Sequence, residues 1–325
     1  MNILAVFPGE KDMAIGWHSN GQLVGTATVP YPDCSCAVGE SVETVCSTLG
    51  IENADMGITC YGMLRPTSNH VTKLTPDIVD EVCQAKYGYD KTNYGTIMLA
   101  SIGAKEMINT YPLTYDIFPE TMRFSGIPQI ERKMIGHSLD HILARNRVET
   151  VTGSKKASVT CYLSEGEITI SSWKDGVLMD MNDSWDGEGP MTPTRSGFFH
   201  QKCVYKMAFS GKYDLESMLA RVRSIGGLFA HLGTSNLTEV EDMIAKGDSK
   251  AKLVYGAMVY QIAKCIGRMA TRCGKPDGIA FTGPLACDEK LVADVTSYTS
   301  FMAKPIVAPA FDGVSTLIGS ITNHG

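Results

Sequence analysis

Short apolar runs separated by turn residues open the chain. Residues 3–6, 14–17 and 22–29 read as three strands, divided by a break at Pro8-Gly9 and a tight turn at Asn20-Gly21. Asn-Gly suits a two-residue hairpin because both residues tolerate positive φ. The same order returns midway: 157–163, a break at Glu165-Gly166, 168–173, a turn at Asp175-Gly176, then 177–181. Two three-stranded meanders, each opening half of the chain, predict an internally duplicated fold.

After each meander the apolar spacing changes to that of helices alternating with short strands. The first half predicts helices over 76–87, 92–108 and 128–147, the last with an apolar stripe of Ile130, Met134, Ile135, Leu139, Ile142 and Leu143. The second half predicts helices over 214–224, 236–246 and 249–272, then a strand at 278–282, a helix after Cys287, a strand at 305–307 and a closing helix near 313–321. In the longest helix Met258, Ile262, Cys265, Ile266, Met269 and Cys273 share one face, and Lys264, Arg268 and Arg272 the other. A meander followed by alternating helices and strands, twice over, predicts an α/β protein of two domains facing each other across a cleft. The expected division is 1–150 and 151–325, with the last helix packing back on the first domain.

The 325 residues are too many for one small core, in keeping with two domains. With 44% hydrophobic and 20% charged residues the composition is that of a globular chain. Its net charge of −6 and lack of a long basic run exclude nucleic acid as the main partner. No apolar stretch approaches the ~20 residues of a membrane span, and the start lacks the basic and apolar regions of a signal peptide. A cytoplasmic protein is therefore expected. The ten cysteines are scattered and form no C-x-x-C pair, which points to buried reduced thiols. Cys34-Ser35-Cys36 is the nearest approach to a metal motif and lacks a second pair. His137 and His141 are four residues apart, but Ser-Leu-Asp lies between them instead of the Glu-x-x of a zinc protease, so they read as helix-face histidines.

Several stretches carry more. Met63-Leu64-Arg65-Pro66, Phe124-Ser125-Gly126-Ile127-Pro128, Asp186-Gly187-Glu188-Gly189-Pro190, Pro193-Thr194-Arg195-Ser196-Gly197, Phe209-Ser210-Gly211-Lys212, His231-Leu232-Gly233-Thr234, and Lys250-Ala251-Lys252-Leu253 leading to Tyr260-Gln261 follow one another over most of the chain. In this order and spacing they resemble butyrate kinase, a branch of the acetate kinase family in the actin-like, sugar-kinase and Hsp70 superfamily. The resemblance implies two duplicated actin-like (ribonuclease H-like) domains. It also implies ATP-dependent, Mg²⁺-assisted phosphorylation of a short-chain carboxylate to an acyl phosphate, and a homo-oligomer. On the matching motifs, Arg65 would lie beside the substrate carboxylate and Arg195 would face the transferred phosphoryl group. A guanidinium suits both places because its planar fork binds two oxygens. Asp116 is the nearest acid to the expected catalytic aspartate, and Gly9, Gly166, Thr234, Asn236, Thr282 and Gly283 fall on the nucleotide and phosphate side. No dedicated metal ligand is assigned.

The chain departs from that family at the chemistry and spares the scaffold. The first phosphate turn, Asn-Pro-Gly-Ser in the family, is Phe7-Pro8-Gly9-Glu10-Lys11-Asp12 here. The second, His-Leu and glycines, is Tyr162-Leu163-Ser164-Glu165-Gly166, and Thr-Gly-Gly has become Thr282-Gly283-Pro284, which removes an N–H donor. Tyr111-Pro112 stands for the family Asp-Pro, Asp90 for a histidine ahead of Asn93 and Gly95, and Asp312 alone for the late acids. Such a pattern is what relaxed or redirected function produces. Two readings follow: a carboxylate kinase with unusual phosphate turns, Mg²⁺ being recruited by Glu10, Asp12 and Glu165; or a catalytically silent or repurposed ligand-binding, regulatory or assembly subunit. A metal-dependent activity on the new carboxylates is a third.

Overall fold

The computed structural model describes residues 1–32, 38–117, 119–308 and 311–322. Cys34 and Cys36 lie outside the described residues. The elements in chain order are β1 (Asn2–Pro8), β2 (Asp12–Ser19), β3 (Gln22–Pro30), α1 (Val38–Leu49), β4 (Met56–Cys60), β5 (Val71–Lys73), α2 (Pro76–Cys83), α3 (Asn93–Ile102), β6 (Glu106–Thr110), α4 (Ser138–Thr152), β7 (Ala157–Leu163), β8 (Ile168–Lys174), β9 (Val177–Met181), α5 (Gln201–Ala208), α6 (Leu215–Arg223), α7 (Gly227–Leu232), α8 (Leu237–Ala245), α9 (Ser249–Cys273), β10 (Gly278–Thr282), α10 (Glu289–Thr299), β11 (Pro305–Val307) and α11 (Gly313–Thr322). They form two compact units, Met1–Ile117 with Phe311–Gly325, and Phe118–Ala310.

The first unit holds a mixed sheet in the order β3-β2-β1-β4-β6-β5. β1, β2 and β3 pair antiparallel, while β4 and β6 run parallel to β1. The meander forms because Asn20 and Gly21 both take positive φ, 51° and 80°, the twist a two-residue hairpin needs. Leu4, Val6, Ile15, Val45, Met98 and Leu99 fill its core. α11 packs on β1, β2 and β4. Val314 sits on Gly16, where a Cβ would fall 2.2 Å from Val314 Cγ1, so only glycine admits the helix this close.

The second unit repeats the plan with a sheet in the order β11-β10-β7-β8-β9. Asp175 (φ 51°) and Gly176 (φ 80°) make its hairpin turn. β7, β8 and β10 are buried almost throughout because helices cover both faces. Val159, Cys161 and Phe281 join Ile262, Ile266 and Met269 of α9 in one core. On the other face Ala144 and Val148 of α4 meet Ala280 and Ile306. The architecture is thus a duplicated α/β fold, as the sequence pattern predicts.

Several elements differ from expectation. The helix expected over 92–108 ends at Ile102, because Gly103 turns left-handed (φ 77°), and 106–110 is strand β6. The helix expected over 128–147 begins only at Ser138. Ile130, assigned to its buried stripe, is 57% exposed in an irregular segment. Residues 118–150 belong with the second unit instead of the first, since α4 packs on β7 and β10. Cys60, Cys161, Cys265 and Cys273 are buried free thiols, whereas Cys83, Cys203 and Cys287 lie at the surface. Among the described residues no helix is long and apolar enough to cross a membrane.

Candidate functional site

In the first unit the candidate residues gather at the C-terminal ends of β1, β4 and β6. Gly9 forms a closed turn: its N–H donates to Asp12 O at 2.8 Å, and the Tyr31 hydroxyl donates to Gly9 O at 2.8 Å. The Lys91 ammonium donates to the Glu10 carbonyl. Burial, reinforced by Asp90, Cys60, Asp12 and Glu10, pushes the Tyr31 phenol far above its ordinary range, so it stays protonated and keeps donating. Phe7 packs edge-on against Tyr61 (5.9 Å) and Phe311 (5.7 Å). It lies so close to Gly313 that a Cβ there would fall 2.2 Å from its ring.

The loop after β4 carries Arg65 and is fixed from α3. Thr92 Oγ1 accepts from Gly62 N at 2.9 Å and Asn93 Oδ1 from Met63 N at 2.7 Å, while Asp90 holds Thr92. Gly95 lets α3 approach β4, since a Cβ there would lie 2.2 Å from Thr59 Oγ1. Arg65 itself is engaged by α2: Nη2 donates to Asp77 at 2.7 Å and Nε to Glu81 at 2.9 Å. These bonds raise its pKa further and neutralise it against two carboxylates. Asp116 lies near this loop through the backbone, its N–H donating to Thr67 O at 2.7 Å. Tyr111 takes φ 50° and packs on His70 (5.3 Å) and Tyr115 (5.6 Å).

In the second unit the structure brings Gly166, Arg195, Gly283, Thr282 and the 234–236 segment to one region. Thr282 pairs with Tyr162 across β10 and β7. Gly283 (φ 88°) then runs so close to β7 that a Cβ would lie 2.6 Å from Leu163 O. The turn containing Gly166 closes by Ser164 N–H to Glu167 O at 2.8 Å. Glu165 O accepts from the hydroxyls of Thr192 and Thr194, both at 3.1 Å, which docks the loop that carries Arg195. The Glu165 carboxylate, expected as a magnesium ligand with Glu10 and Asp12, instead accepts a hydrogen bond from Ser235. Among the described residues no group of three or more His, Cys, Asp or Glu side chains is arranged to hold a metal ion. Thr234 and Asn236 start a helix: Asn236 Oδ1 accepts from Thr238 N at 2.9 Å, and Thr234 bonds Glu239 at 2.6 Å.

Arg195 is 7% exposed. Its Nη1 donates to Ser184 Oγ at 3.0 Å, and its guanidinium lies 5.1 Å over the Trp185 ring, on which Arg223 also lies at 4.8 Å. Its Nε has no hydrogen-bond partner among the described residues. Asp183, beside Trp185, has its carboxyl pushed up to about 7 by burial and then by neighbouring Asp186.

Sequence reasoning missed a second polar group here. His137 is the residue just ahead of α4, and its ring stacks on Tyr162 at 4.3 Å with 10° between planes. His137 Nδ1 lies 3.3 Å from the carboxylate of buried Glu167. Although burial opposes ionisation, His137 and then Arg195 hold the Glu167 carboxyl below its ordinary range. His141 is fully buried, with Nδ1 2.7 Å from Thr160 Oγ1 and Nε2 2.9 Å from Thr169 Oγ1, and burial pushes its pKa down to about 3. The two histidines are therefore unlike: one at a helix start facing an acid, one a neutral core group. Gly136 immediately ahead of His137 was the available signal, since it interrupts the helix expected over that stretch.

Comparison with known proteins gives the fold and the family. The structure is similar to acetate kinase from Porphyromonas gingivalis (17% identity, TM-score 0.76, 99% of each chain). It is similar also to acetate kinase from Entamoeba histolytica (13%, TM-score 0.78, 100% of this chain and 99% of that one). Propionate kinase from Francisella tularensis matches at 14% identity and TM-score 0.73, over 95% and 96% of the two chains. At such identities the likeness establishes the fold. The model of the Acetokinase family matches residues 128–298, a span that includes the Glu167 turn, the Arg195 loop and Gly283. With more than half of its length matched by that model, this chain belongs to the acetokinase family.

Proposed function

We propose that the protein is a carboxylate kinase that transfers a phosphoryl group from ATP to a short-chain carboxylate, with Arg195 and His137 handling the transferred group. The observation that carries this reading is the buried Arg195 guanidinium with an unengaged Nε. A buried N–H left without a partner costs about 1–3 kcal/mol, and an anionic oxygen removes that cost. Phosphoryl transfer requires positioning and charge neutralisation more than covalent chemistry. Arg195 and the His137 imidazole supply two cationic donors on one side of that task. The turns at Gly166 and Gly283 offer backbone N–H groups to the remaining phosphates. Mg²⁺ would enter with the nucleotide phosphates, as the described residues offer no three-ligand site of their own.

Arg65 is the family position for the acceptor carboxylate, but Asp77 and Glu81 already neutralise it. An acceptor carboxylate would have to share Arg65 with Asp77 and Glu81, of which Asp77 is the more exposed at 64%. That competition, with Phe7 in the first phosphate turn, favours a second reading, a ligand-binding or assembly subunit that no longer turns over. Phe209 (89% exposed) and Leu215 (72%) beside α5 and α6 are apolar groups that a homo-oligomer would cover, and molar mass in solution tests this.

Trapping acyl phosphate with hydroxylamine separates the readings. With Mg-ATP and acetate, propionate, butyrate or isobutyrate, the kinase yields an acyl hydroxamate. Arg195→Met should lower the rate by about 10²-fold or more, the usual loss for a removed oxyanion donor. Calorimetric binding of Mg-ATP with no hydroxamate from any acceptor would support the second reading instead.

A further inference from the structure

Glu167 precedes β8 in a place with 7% exposure, where a carboxylate is costly unless it is paired. Three groups stabilise it. His137 Nδ1 stands 3.3 Å away, the Thr169 hydroxyl donates to Oε1 at 3.3 Å, and Arg195 adds its field. Room for the carboxylate comes from Gly136, at which a Cβ would lie 3.0 Å from Glu167 Oε1. The same histidine ring is held on its face by Tyr162, stacked at 4.3 Å. Edge and face of His137 are thus both fixed, by an acid on one strand end and a phenol on the neighbouring strand.

We propose that Glu167 is a positioning residue for His137, fixing the ring's orientation and favouring the imidazolium form, so that His137 and Arg195 act as a cationic pair on an anionic oxygen. A carboxylate against Nδ1 keeps a proton on that nitrogen and favours the imidazolium, whose Nε2–H is then the donor the ring presents. The inference rests on the kinase reading for its catalytic consequence, but not for the coupling of Glu167 to His137. The titratable and charged groups that face His137 include Glu167 and Tyr162, with Arg195 acting on Glu167 and His141 one helical turn on, and His141 remains neutral at assay pH.

The test is Glu167→Gln, which keeps an oxygen to accept from Thr169 and removes the charge. Expected is a fall in kcat of about tenfold or more with little change in the KM for Mg-ATP. The alkaline limb of the pH profile should move to lower pH, because the imidazolium loses the carboxylate that favours it. Glu167→Asp should restore part of that limb. An activity loss equal at all pH values would mean a structural role and overturn the inference, as would unchanged activity. Imidazole carbon NMR, with His137 assigned through His137→Asn, reads the coupling without turnover. A lowered His137 midpoint in Glu167→Gln with no acyl phosphate from the wild type would uphold the coupling and defeat the kinase reading. Turnover with an unmoved midpoint would do the reverse.

Discussion

Two buried groups of the second unit titrate in opposite senses, and their stability contributions should cancel. His141 is held neutral between Thr160 and Thr169, its pKa pushed by burial from 6.5 down to about 3. Its contribution is present above pH 6.5 and is lost as pH falls toward the folded value, because the unfolded chain binds the proton first. Asp183 is the reverse case. Burial and Asp186 push it from 3.8 up to about 7, so its contribution is present below 3.8 and is lost as pH rises toward 7. Between about pH 4 and pH 6.5 each group changes stability by about 3 kcal/mol, with opposite signs. The wild type should therefore show little net dependence from this pair. Asp183→Asn keeps the oxygen that accepts from Trp185 N (2.8 Å) and Asp186 N (3.3 Å) and removes the titration. Relative to wild type, its stability should rise by about 3 kcal/mol from pH 4 to pH 6.5, and that of His141→Gln should fall by as much. Urea unfolding followed by tryptophan fluorescence reports this, since Trp173 and Trp185 both lie in the second unit. A pH dependence for Asp183→Asn identical to that of the wild type would refute the assignment of opposed buried titrations.

Other substitutions test the site's scaffold. Gly283→Ala must hold a Cβ at φ 88° within 2.6 Å of Leu163 O, and should destabilise the second unit by about 2–4 kcal/mol in urea and weaken Mg-ATP binding. Asn236→Ala removes the cap of α8 and should cost about 1 kcal/mol, whereas Asn236→Ser should restore stability and leave nucleotide affinity unchanged if the residue only caps the helix. Gly136→Ala should displace Glu167 and reproduce the pH shift of Glu167→Gln, at a cost of about 1–3 kcal/mol from overpacking. The same pH profile as wild type would mean that Glu167 moves aside without consequence.

The duplicated meanders were legible in the sequence because the positive-φ pairs Asn20-Gly21 and Asp175-Gly176 sit between alternating strands. Both signals are local and need no partner. The helix expected over 128–147 failed for a different reason. Ile130 and Met134 fit the helical period, but the segment ahead of Ser138 is irregular, with Gly136 against Glu167. Periodicity alone could not separate that tertiary requirement from a longer helix. The same error placed His137 inside a helix face and hid its pairing with Glu167. The motif glycines were found, yet their separate duties were not. Gly95 lets α3 lie against Thr59 of β4, Gly283 lets the chain run against the β7 backbone, and Thr234 and Asn236, read as phosphate ligands, build the start of α8. Glu165 was read as a carboxylate that recruits magnesium with Glu10 and Asp12 because Ser235, its partner, is 70 residues away in the chain.

Phosphorus NMR of the wild type with Mg-ATP and a short-chain carboxylate, repeated with Arg195→Met, tests the central claim most directly. The account predicts an acyl phosphate resonance growing as ATP is consumed with at least one acceptor of the acetate to isobutyrate series. It also predicts the loss of that resonance in Arg195→Met, with the far-ultraviolet spectrum of the variant unchanged. ATP that binds and persists with every acceptor, or an acyl phosphate signal that survives in Arg195→Met, would contradict it.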